Sequence, residues 1–334
     1  MAIESCFEEE PSCLIVGSGI AGLTAARELK RQGIHVAVLE KAQGVGGRMA
    51  TRRFDGAVFD HGTQYFAPSS AWFQSRIAEW LDEGIAREWF RVQAHEVDAR
   101  FLSSARYYGY PTMTSIPKVI ASGLSVFTNE KVTRIHVEGD CWHALTEEGN
   151  RFAARSCILT PPVPQTLELL EASEIPLEPA MHDTLLDLVY EPCIALMAVC
   201  EAPPALPENG VLEFERGNLR RVMDNQRKGL SPGVPAVTIH ATGAFSARHF
   251  NDSDETVAGL LFDEALPMLR CTVESWQLHR WRYSQVLTPH PAPYLHLQQQ
   301  PPLAVAGDAF GVNGVEGAAR SGMEAANMIL RYLH

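Results

Sequence analysis

The 334-residue chain is poor in several features, and each shortage excludes a class of protein. Lysine and arginine together number 28 against 40 aspartates and glutamates, and the formal net charge of -12 argues against a nucleic-acid-binding surface. No apolar run approaches the roughly 20 residues that span a bilayer, so we predict no membrane span. Repeats and low-complexity tracts are absent as well. What remains is typical of a globular protein with two domains.

Cysteine and histidine patterns argue against a metal centre and favour a reducing compartment. The seven cysteines include no C-x-x-C pair and the twelve histidines are scattered, so we predict no metal site. Cys13 and Cys157 lie in apolar runs, where a buried thiol acts as a small hydrophobic group. The acidic segment before Ser12 is unlike a signal or transit peptide. We therefore expect a cytoplasmic protein.

A glycine-rich turn near the N-terminus carries the dinucleotide-binding fingerprint. An apolar run opens into Gly17-x-Gly19-x-x-Gly22, and a second apolar run ends at Glu40. In this pattern Gly17 permits a tight turn, Gly19 lets a pyrophosphate approach the backbone, and Gly22 lets the helix pack closely on the strand. Glu40 is predicted to accept hydrogen bonds from an adenosine ribose.

A second glycine turn follows directly, and it distinguishes an FAD-binding domain from one that binds only NAD. It ends in Gly46, Gly47 and Arg48, which can return the chain to the same pyrophosphate and add a fixed cation. Domains that bind only NAD usually lack this element, so the two turns together predict FAD. No cysteine or histidine is identifiable as an attachment site, so we expect the FAD to be noncovalent. Neighbouring residues are predicted to line the same cofactor: Ile20, Ala21 and Lys41.

The C-terminal end repeats the order of strand, glycine and helix. A buried strand ends at Gly307 and Asp308, and Asp308 is predicted to bond the ribityl hydroxyls, with a turn-capping aspartate as the alternative. An amphipathic helix follows, and its N-terminal dipole is expected to stabilise a reduced flavin. The residues predicted to form that terminus are Val315, Glu316, Gly317 and Ala318.

These motifs predict an α/β protein with a discontinuous, Rossmann-type FAD-binding domain of the glutathione-reductase-like kind. The second, substrate domain is expected to contain a mixed or antiparallel sheet with helices, because short strand-like runs fill residues 211–242. The predicted boundaries are 1–66, 116–165 and 290–334 for the FAD-binding domain, and 67–115 and 166–289 for the substrate domain.

Four side chains are candidates for the substrate side of the site. Gln64 and Tyr65 follow the second glycine turn, where the chain should pass the flavin ring; both could line the cavity, with Gln64 also a predicted cofactor contact, or belong to a packed crossover. His240 ends an apolar strand, where a histidine is more often structural than catalytic. Trp281 shares a strand face with Tyr283 and could contact flavin or substrate, or lie on a half-exposed strand.

The glycine motifs are similar to those of flavoproteins that include monoamine oxidases, protoporphyrinogen oxidases, carotenoid desaturases and renalases. The resemblance to the renalase family is the most extensive and runs along most of the chain. It implies that Val132 lies near the adenine and that His240 lies near the flavin. The segments that carry it are Gly46–Met49, Asp60–Phe66, Met223–Asn225, Ile239–Thr242 and His279–Trp281.

Renalases oxidise misreduced isomers of NAD(P)H that carry the hydride at the 2- or 6-position, return NAD(P)+, and pass the electrons to oxygen to make hydrogen peroxide. The resemblance therefore implies two small-molecule partners, a dihydronicotinamide dinucleotide and O2. A dihydropyridine loses hydride without losing a proton, so such an enzyme needs no strong general base. Two alternatives stay open: a flavin amine oxidase or desaturase, and a flavin-binding redox sensor without turnover. The chain could act as a monomer or a homodimer.

Two departures from amine oxidases favour the nicotinamide alternative. Those enzymes usually hold the amine between two aromatic rings, but Gly314 stands where one cage tyrosine would precede Glu316. They also often use a lysine–water bridge, and Lys228 is the single lysine of the predicted substrate domain. Four arginines between Arg216 and Arg227 could steer a pyrophosphate, although a solvated charged face is the favoured interpretation.

Overall fold

The computed structural model describes residues 12–92 and 101–333. The strands are β1 (Cys13–Val16), β2 (Val36–Glu40), β3 (Thr51–Phe54), β4 (Ala57–Asp60), β5 (Ala86–Arg91), β6 (Ala105–Gly109), β7 (Ser125–Thr128), β8 (Val132–Glu138), β9 (Cys141–Thr146), β10 (Arg151–Ala154), β11 (Cys157–Leu159), β12 (Tyr190–Cys200), β13 (Val211–Glu213), β14 (Leu219–Asp224), β15 (Ala236–Ala241), β16 (Val273–Val286), β17 (Leu295–Gln299) and β18 (Pro302–Val305). The helices are α1 (Ile20–Arg31), α2 (Ala71–Asp82), α3 (Ser115–Ala121), α4 (Val163–Ala172), α5 (Pro179–Leu186), α6 (Gly243–Arg248), α7 (Asp254–Leu269) and α8 (Gly314–Leu333).

The chain divides into two compact units, each assembled from separate segments. The first unit comprises Met1–Gly47, Pro117–Val189 and Val286–His334, and the second comprises Arg48–Ile116 and Tyr190–Gln285. A discontinuous arrangement was expected, but two long segments, besides a few residues at the other boundaries, fall differently from the sequence-based division. Residues 48–66 lie in the second unit, and residues 166–189 lie in the first.

The first unit is built on a six-stranded sheet in the order β17-β18-β11-β1-β2-β7. β1 pairs in parallel with β2 and β11, as the Rossmann prediction requires. All four residues of β1 are buried, which explains its unbroken apolar sequence. Helices α1 and α8 pack against each other so closely that a Cβ at Gly322 would overlap the Ala21 carbonyl. Strands β8, β9 and β10 form a separate antiparallel meander.

The second unit is built on a five-stranded sheet in the order β13-β14-β15-β12-β16. β15 is buried along its whole length and pairs antiparallel with both β12 and β14. Helix α7 covers one face through Val257, Leu261 and Ala265. The predicted Rossmann-type domain and the predicted second domain with a sheet and helices are both confirmed.

Residues 48–66 belong to the second unit because their hairpin completes that unit's core. β3 pairs antiparallel with β4, and the hairpin places Phe59, fully buried, in a cluster with Met197 and Val199 of β12. In the first unit, α4 ends beside the meander, where the Ser173 hydroxyl accepts a hydrogen bond from the amide of Ile135 at 2.8 Å. These contacts, rather than chain order, decide where the two segments pack.

Candidate functional site

The first glycine turn, in the first unit, has the geometry that the fingerprint requires. Gly17 adopts φ +98°, a conformation that side chains rarely tolerate, and its amide bonds the Leu39 carbonyl at 2.8 Å. A Cβ at Gly22 would overlap the Gly17 carbonyl oxygen. The backbone itself therefore requires glycine at both positions: Gly17 for the tight turn, and Gly22 for the close contact between helix and strand.

Gly19 is different, because the protein itself does not require a glycine there. Its φ is -67°, and an added Cβ would meet no protein atom within 4 Å. Helix α1 begins at the next residue, and no side chain caps its first amides. Open space beside uncapped helix amides is what a phosphate needs. This cradle fits the pyrophosphate of a dinucleotide.

The second glycine turn lies directly against the first. The Gly46 amide donates to the Ser18 carbonyl at 2.9 Å, and Gly46 forms a parallel bridge with Gly19. Gly47 adopts φ +54° and approaches the Cα of Gly19. The structure thus brings together the glycines that were predicted to share one phosphate group.

Glu40 is held rigidly at the end of β2. Its Oε2 accepts hydrogen bonds from the Ser18 amide at 2.8 Å and the Ser18 hydroxyl at 2.7 Å, and its Oε1 accepts from the Ala42 amide at 2.8 Å. The ribose contact of Glu40 stays a prediction. Ile20 and Ala21 are buried at the start of α1, whereas Lys41 is exposed and donates to Gln165 at 3.1 Å.

The C-terminal motif is also formed as the sequence indicates. Gly307 adopts φ +149°, its amide donates to the Ser321 hydroxyl at 2.8 Å, and Asp308 is 9% exposed. A Cβ at Gly317 would overlap the Val312 carbonyl, so the first turn of α8 is tightly packed. The other predicted cofactor residues are the half-buried Val132 and the buried Val315, Glu316 and Ala318.

Arg48 opens the second unit and is fixed by strand β16. Its guanidinium donates to the carbonyls of Tyr283 at 3.3 Å and Ser284 at 3.0 Å, and it lies 5.9 Å from the centroid of the Tyr190 ring. Its predicted contact with a pyrophosphate stays a prediction.

A buried ion pair organises the Asp60–Phe66 segment, and sequence analysis did not predict it. The Lys228 side chain is fully buried, and its Nζ lies 2.8 Å from Asp60 Oδ2 and 2.7 Å from the Gln64 carbonyl. Burial lowers the pKa of Lys228, and the Asp60 carboxylate opposes that shift. The ring centroids of Trp89 and Tyr108 lie 4.8 and 5.3 Å from the ammonium. The only indication in the sequence was that Lys228 is the single lysine of the predicted substrate domain.

The backbone carbonyl of His61 joins two of the predicted candidates. It accepts hydrogen bonds from His240 Nε2 at 3.1 Å and from Trp281 Nε1 at 2.9 Å. Because a carbonyl can only accept, Nε2 carries the proton of the neutral His240 ring. The Trp281 ring stacks on the His61 ring with centroids 5.2 Å apart. We call His61, His240, His279 and Trp281 the histidine cluster.

The histidine cluster is electrically neutral. Burial lowers the pKa of His61 to about 3, with further lowering by the neighbouring His279 and Arg52. Burial also lowers the pKa of His240 to about 3 and that of His279 to about 4. Near pH 7 these rings are therefore uncharged and weakly basic.

Gln64 and Tyr65 are engaged in contacts within the second unit. Gln64 is 1% exposed, and its Nε2 donates to the Asp60 carbonyl at 2.5 Å. The Tyr65 hydroxyl donates to Glu213 at 2.6 Å, and burial raises the pKa of Tyr65 to about 12. These contacts favour the packed-crossover alternative, while a role in a cavity stays a prediction.

Three of the four arginines between Arg216 and Arg227 form ion pairs. Arg220 pairs with Glu191 at 3.8 Å, and Arg221 with Glu213 at 3.3 Å. Arg227 pairs with Asp224 at 3.4 Å. These partners favour the interpretation of a charged face over that of a pyrophosphate-steering patch.

The described residues contain neither a metal-binding cluster nor a membrane-spanning helix. Within residues 12–92 and 101–333, no group of three or more His, Cys, Asp or Glu side chains is arranged to hold a metal ion. In the same described part of the chain, no helix has both the length and the apolar character needed to cross a membrane.

Comparison with known proteins agrees with the motifs. Residues 15–83 match the NAD(P)-binding Rossmann-like domain, and residues 105–330 match the flavin containing amine oxidoreductase family. Renalase of Mus musculus is 24% identical over 349 residues, covering 96% of this chain and 99% of that protein. Putrescine oxidase of Kocuria rosea is 40% identical over 74 residues, covering 22% of this chain and 15% of that protein.

A solved structure of putrescine oxidase bound to putrescine superimposes with a TM-score of 0.72 at 17% identity, covering 97% of this chain and 99% of that chain. At this identity the likeness establishes a shared fold. The uncapped helix amides, the open space at Gly19 and the paired glycine turns fit the dinucleotide part of a flavin cofactor. The chain belongs to the flavin containing amine oxidoreductase family, and its cofactor is FAD.

Proposed function

We propose that this flavoprotein is an oxidase of misreduced dihydro-NAD(P) isomers. It takes hydride from 2- or 6-dihydronicotinamide, releases NAD(P)+, and passes the electrons to O2 to form hydrogen peroxide. The bound FAD supplies the hydride acceptor, held noncovalently. The protein's own contribution is to bind and orient the dihydropyridine ring without removing a proton from it.

The observation that carries this proposal is the neutrality of the histidine cluster. A strong general base needs a pKa near the working pH, and burial holds the pKa of His240 at about 3. Lys228 is also unsuited as a base, because its ammonium is bonded to Asp60 and the Gln64 carbonyl. Hydride loss from a dihydropyridine yields an aromatic pyridinium and requires neither group to accept a proton. The candidate residues therefore match the needs of that reaction.

The alternative of amine oxidation is less well supported. Gly314, at the position expected for a cage tyrosine, offers no ring at all. Similarity to mouse renalase over 96% of this chain supports the nicotinamide alternative further.

The test is aerobic turnover with separated 2-, 4- and 6-dihydro isomers of NAD and NADP. We expect the 2- or 6-isomer to disappear while NAD(P)+ and hydrogen peroxide accumulate in equal amounts. The 4-dihydro isomer and a panel of amines serve as controls and should react far more slowly. Preferred oxidation of an amine would contradict the proposal. Reduced flavin that persists in air would instead favour a redox sensor without turnover.

A further inference from the structure

Two cysteines of the second unit lie side by side at the end of its sheet. Cys200 is the last residue of β12, and Cys271 lies two residues before the start of β16, the neighbouring strand. The Glu201 amide bonds the Thr272 carbonyl at 3.0 Å, so the residues next to the two cysteines are joined through their backbones. Both side chains belong to one hydrophobic cluster, and both thiols are reduced.

The two thiols differ in access. Cys200 is 2% exposed, whereas Cys271 is half-buried in the short connection between α7 and β16. Burial raises the pKa of the Cys200 thiol, and a hydrogen bond with the Cys271 thiol raises it further. A small oxidant therefore meets Cys271 first, with Cys200 already in contact to react next.

We propose that Cys200 and Cys271 form a reversible disulfide when the protein meets hydrogen peroxide. The Cys271 thiolate attacks one peroxide oxygen, the O–O bond breaks, and water leaves after protonation, giving a sulfenic acid. The Cys200 thiol then attacks that sulfur and gives its proton to the departing oxygen, so that the S–O bond breaks and a second water leaves. Two thiols and one peroxide thus become one disulfide and two waters, a two-electron oxidation of the protein.

Closing the bond requires the two Cβ atoms to approach to about 4 Å. We expect Cys271 rather than Cys200 to move, because Cys271 lies outside any strand. It follows Arg270, the left-handed residue (φ +51°) that ends α7. The proposal rests on the proposed function only for the source of peroxide, since the oxidase reaction would release that oxidant beside its own protein.

The experiment uses the purified FAD-bound protein and added hydrogen peroxide, so that it is independent of any substrate. After blocking of free thiols, digestion without reductant and mass spectrometry should reveal one peptide pair joined through Cys200 and Cys271. Dithiothreitol should separate the pair. Cys271→Ser should abolish it, and Cys141→Ser, which removes another half-buried thiol in β9, should leave it intact.

Oxidation of Cys271 to a sulfinic or sulfonic acid while Cys200 stays reduced would overturn the proposal. Cross-linking of either cysteine mainly to a different thiol would overturn it equally. Failure of the disulfide would leave the proposed oxidase activity untouched, because turnover is measured separately. Failure of the oxidase activity would leave the disulfide result unaffected, because the peroxide is supplied from outside.

Discussion

Replacing Lys228 by methionine tests whether the buried ion pair holds the Asp60–Phe66 segment. The change removes the one ammonium that lies 2.8 Å from Asp60 Oδ2 and leaves that carboxylate fully buried. Asp60 retains two neutral donors on Oδ1, the Thr51 hydroxyl at 2.6 Å and the Met113 amide at 3.1 Å. Two neutral hydrogen bonds do not replace a charge partner in a dry environment.

Breaking a buried ion pair from one side costs about 3–5 kcal/mol, so we expect Lys228→Met to lower the free energy of unfolding by that amount. With an m-value of about 3 kcal/mol/M, the urea midpoint should fall by roughly 1 M or more. Tryptophan fluorescence is a suitable probe because five of the six tryptophans, all but Trp142, lie in the second unit. All urea unfolding measurements should be made at saturating FAD.

The double variant Lys228→Met with Asp60→Asn carries no buried charge and should recover most of the lost stability. Arg91→Met is the matched control, because Arg91 pairs with Glu88 at the surface of the same unit, where the side chains are 61% and 36% exposed, and should have little effect. A loss of less than about 1 kcal/mol in the free energy of unfolding for Lys228→Met would contradict the proposed role of the ion pair. A double variant no more stable than the single one would contradict it too.

Three further predictions concern the cofactor and the histidine cluster. Gly19→Val should fold, because its Cβ meets no protein atom, yet purify with almost no FAD; normal flavin content would refute the phosphate cradle. His240→Ala should retain FAD but slow flavin reduction roughly tenfold, the rate equivalent of about 1.4 kcal/mol of lost positioning; unchanged kinetics would make His240 structural. The pKa of both His61 and His240 is lowered to about 3, so the folded state binds fewer protons than the unfolded state below about pH 6.5. The free energy of unfolding should therefore fall by about 1.4 kcal/mol per group for each pH unit below about 6.5. Urea titrations at several pH values measure this slope. A flat profile would contradict those shifts.

The nucleotide-binding part was predictable because its rules are local. A tight turn at Gly17, an uncapped helix start at Gly19 and an acid ending β2 each follow from short sequence patterns, and the structure forms all three. The turns of the meander follow a local rule too, because Gly139 and Gly149 both adopt positive φ, a conformation that glycine favours.

The substrate side was less predictable because its contacts are distant in sequence. Asp60 and Lys228 are 168 residues apart, and neither has a neighbour that signals the pair. The short β3–β4 hairpin has no sequence pattern that identifies its packing partner, and only the presence of Met197 and Val199 decides which core receives Phe59. Tyr65 illustrates the same limit, because its partner Glu213 lies in a strand 148 residues away.

The most direct test of the account is anaerobic stopped-flow at the absorbance band of oxidised FAD. The protein is mixed with a chemically reduced NAD preparation that contains 2-, 4- and 6-dihydro isomers, beside pure 4-dihydro-NADH and amines. We expect rapid bleaching by a minor component of the mixture and only slow bleaching by pure NADH or any amine. Rapid bleaching by an amine, or no bleaching by any of them, would contradict it.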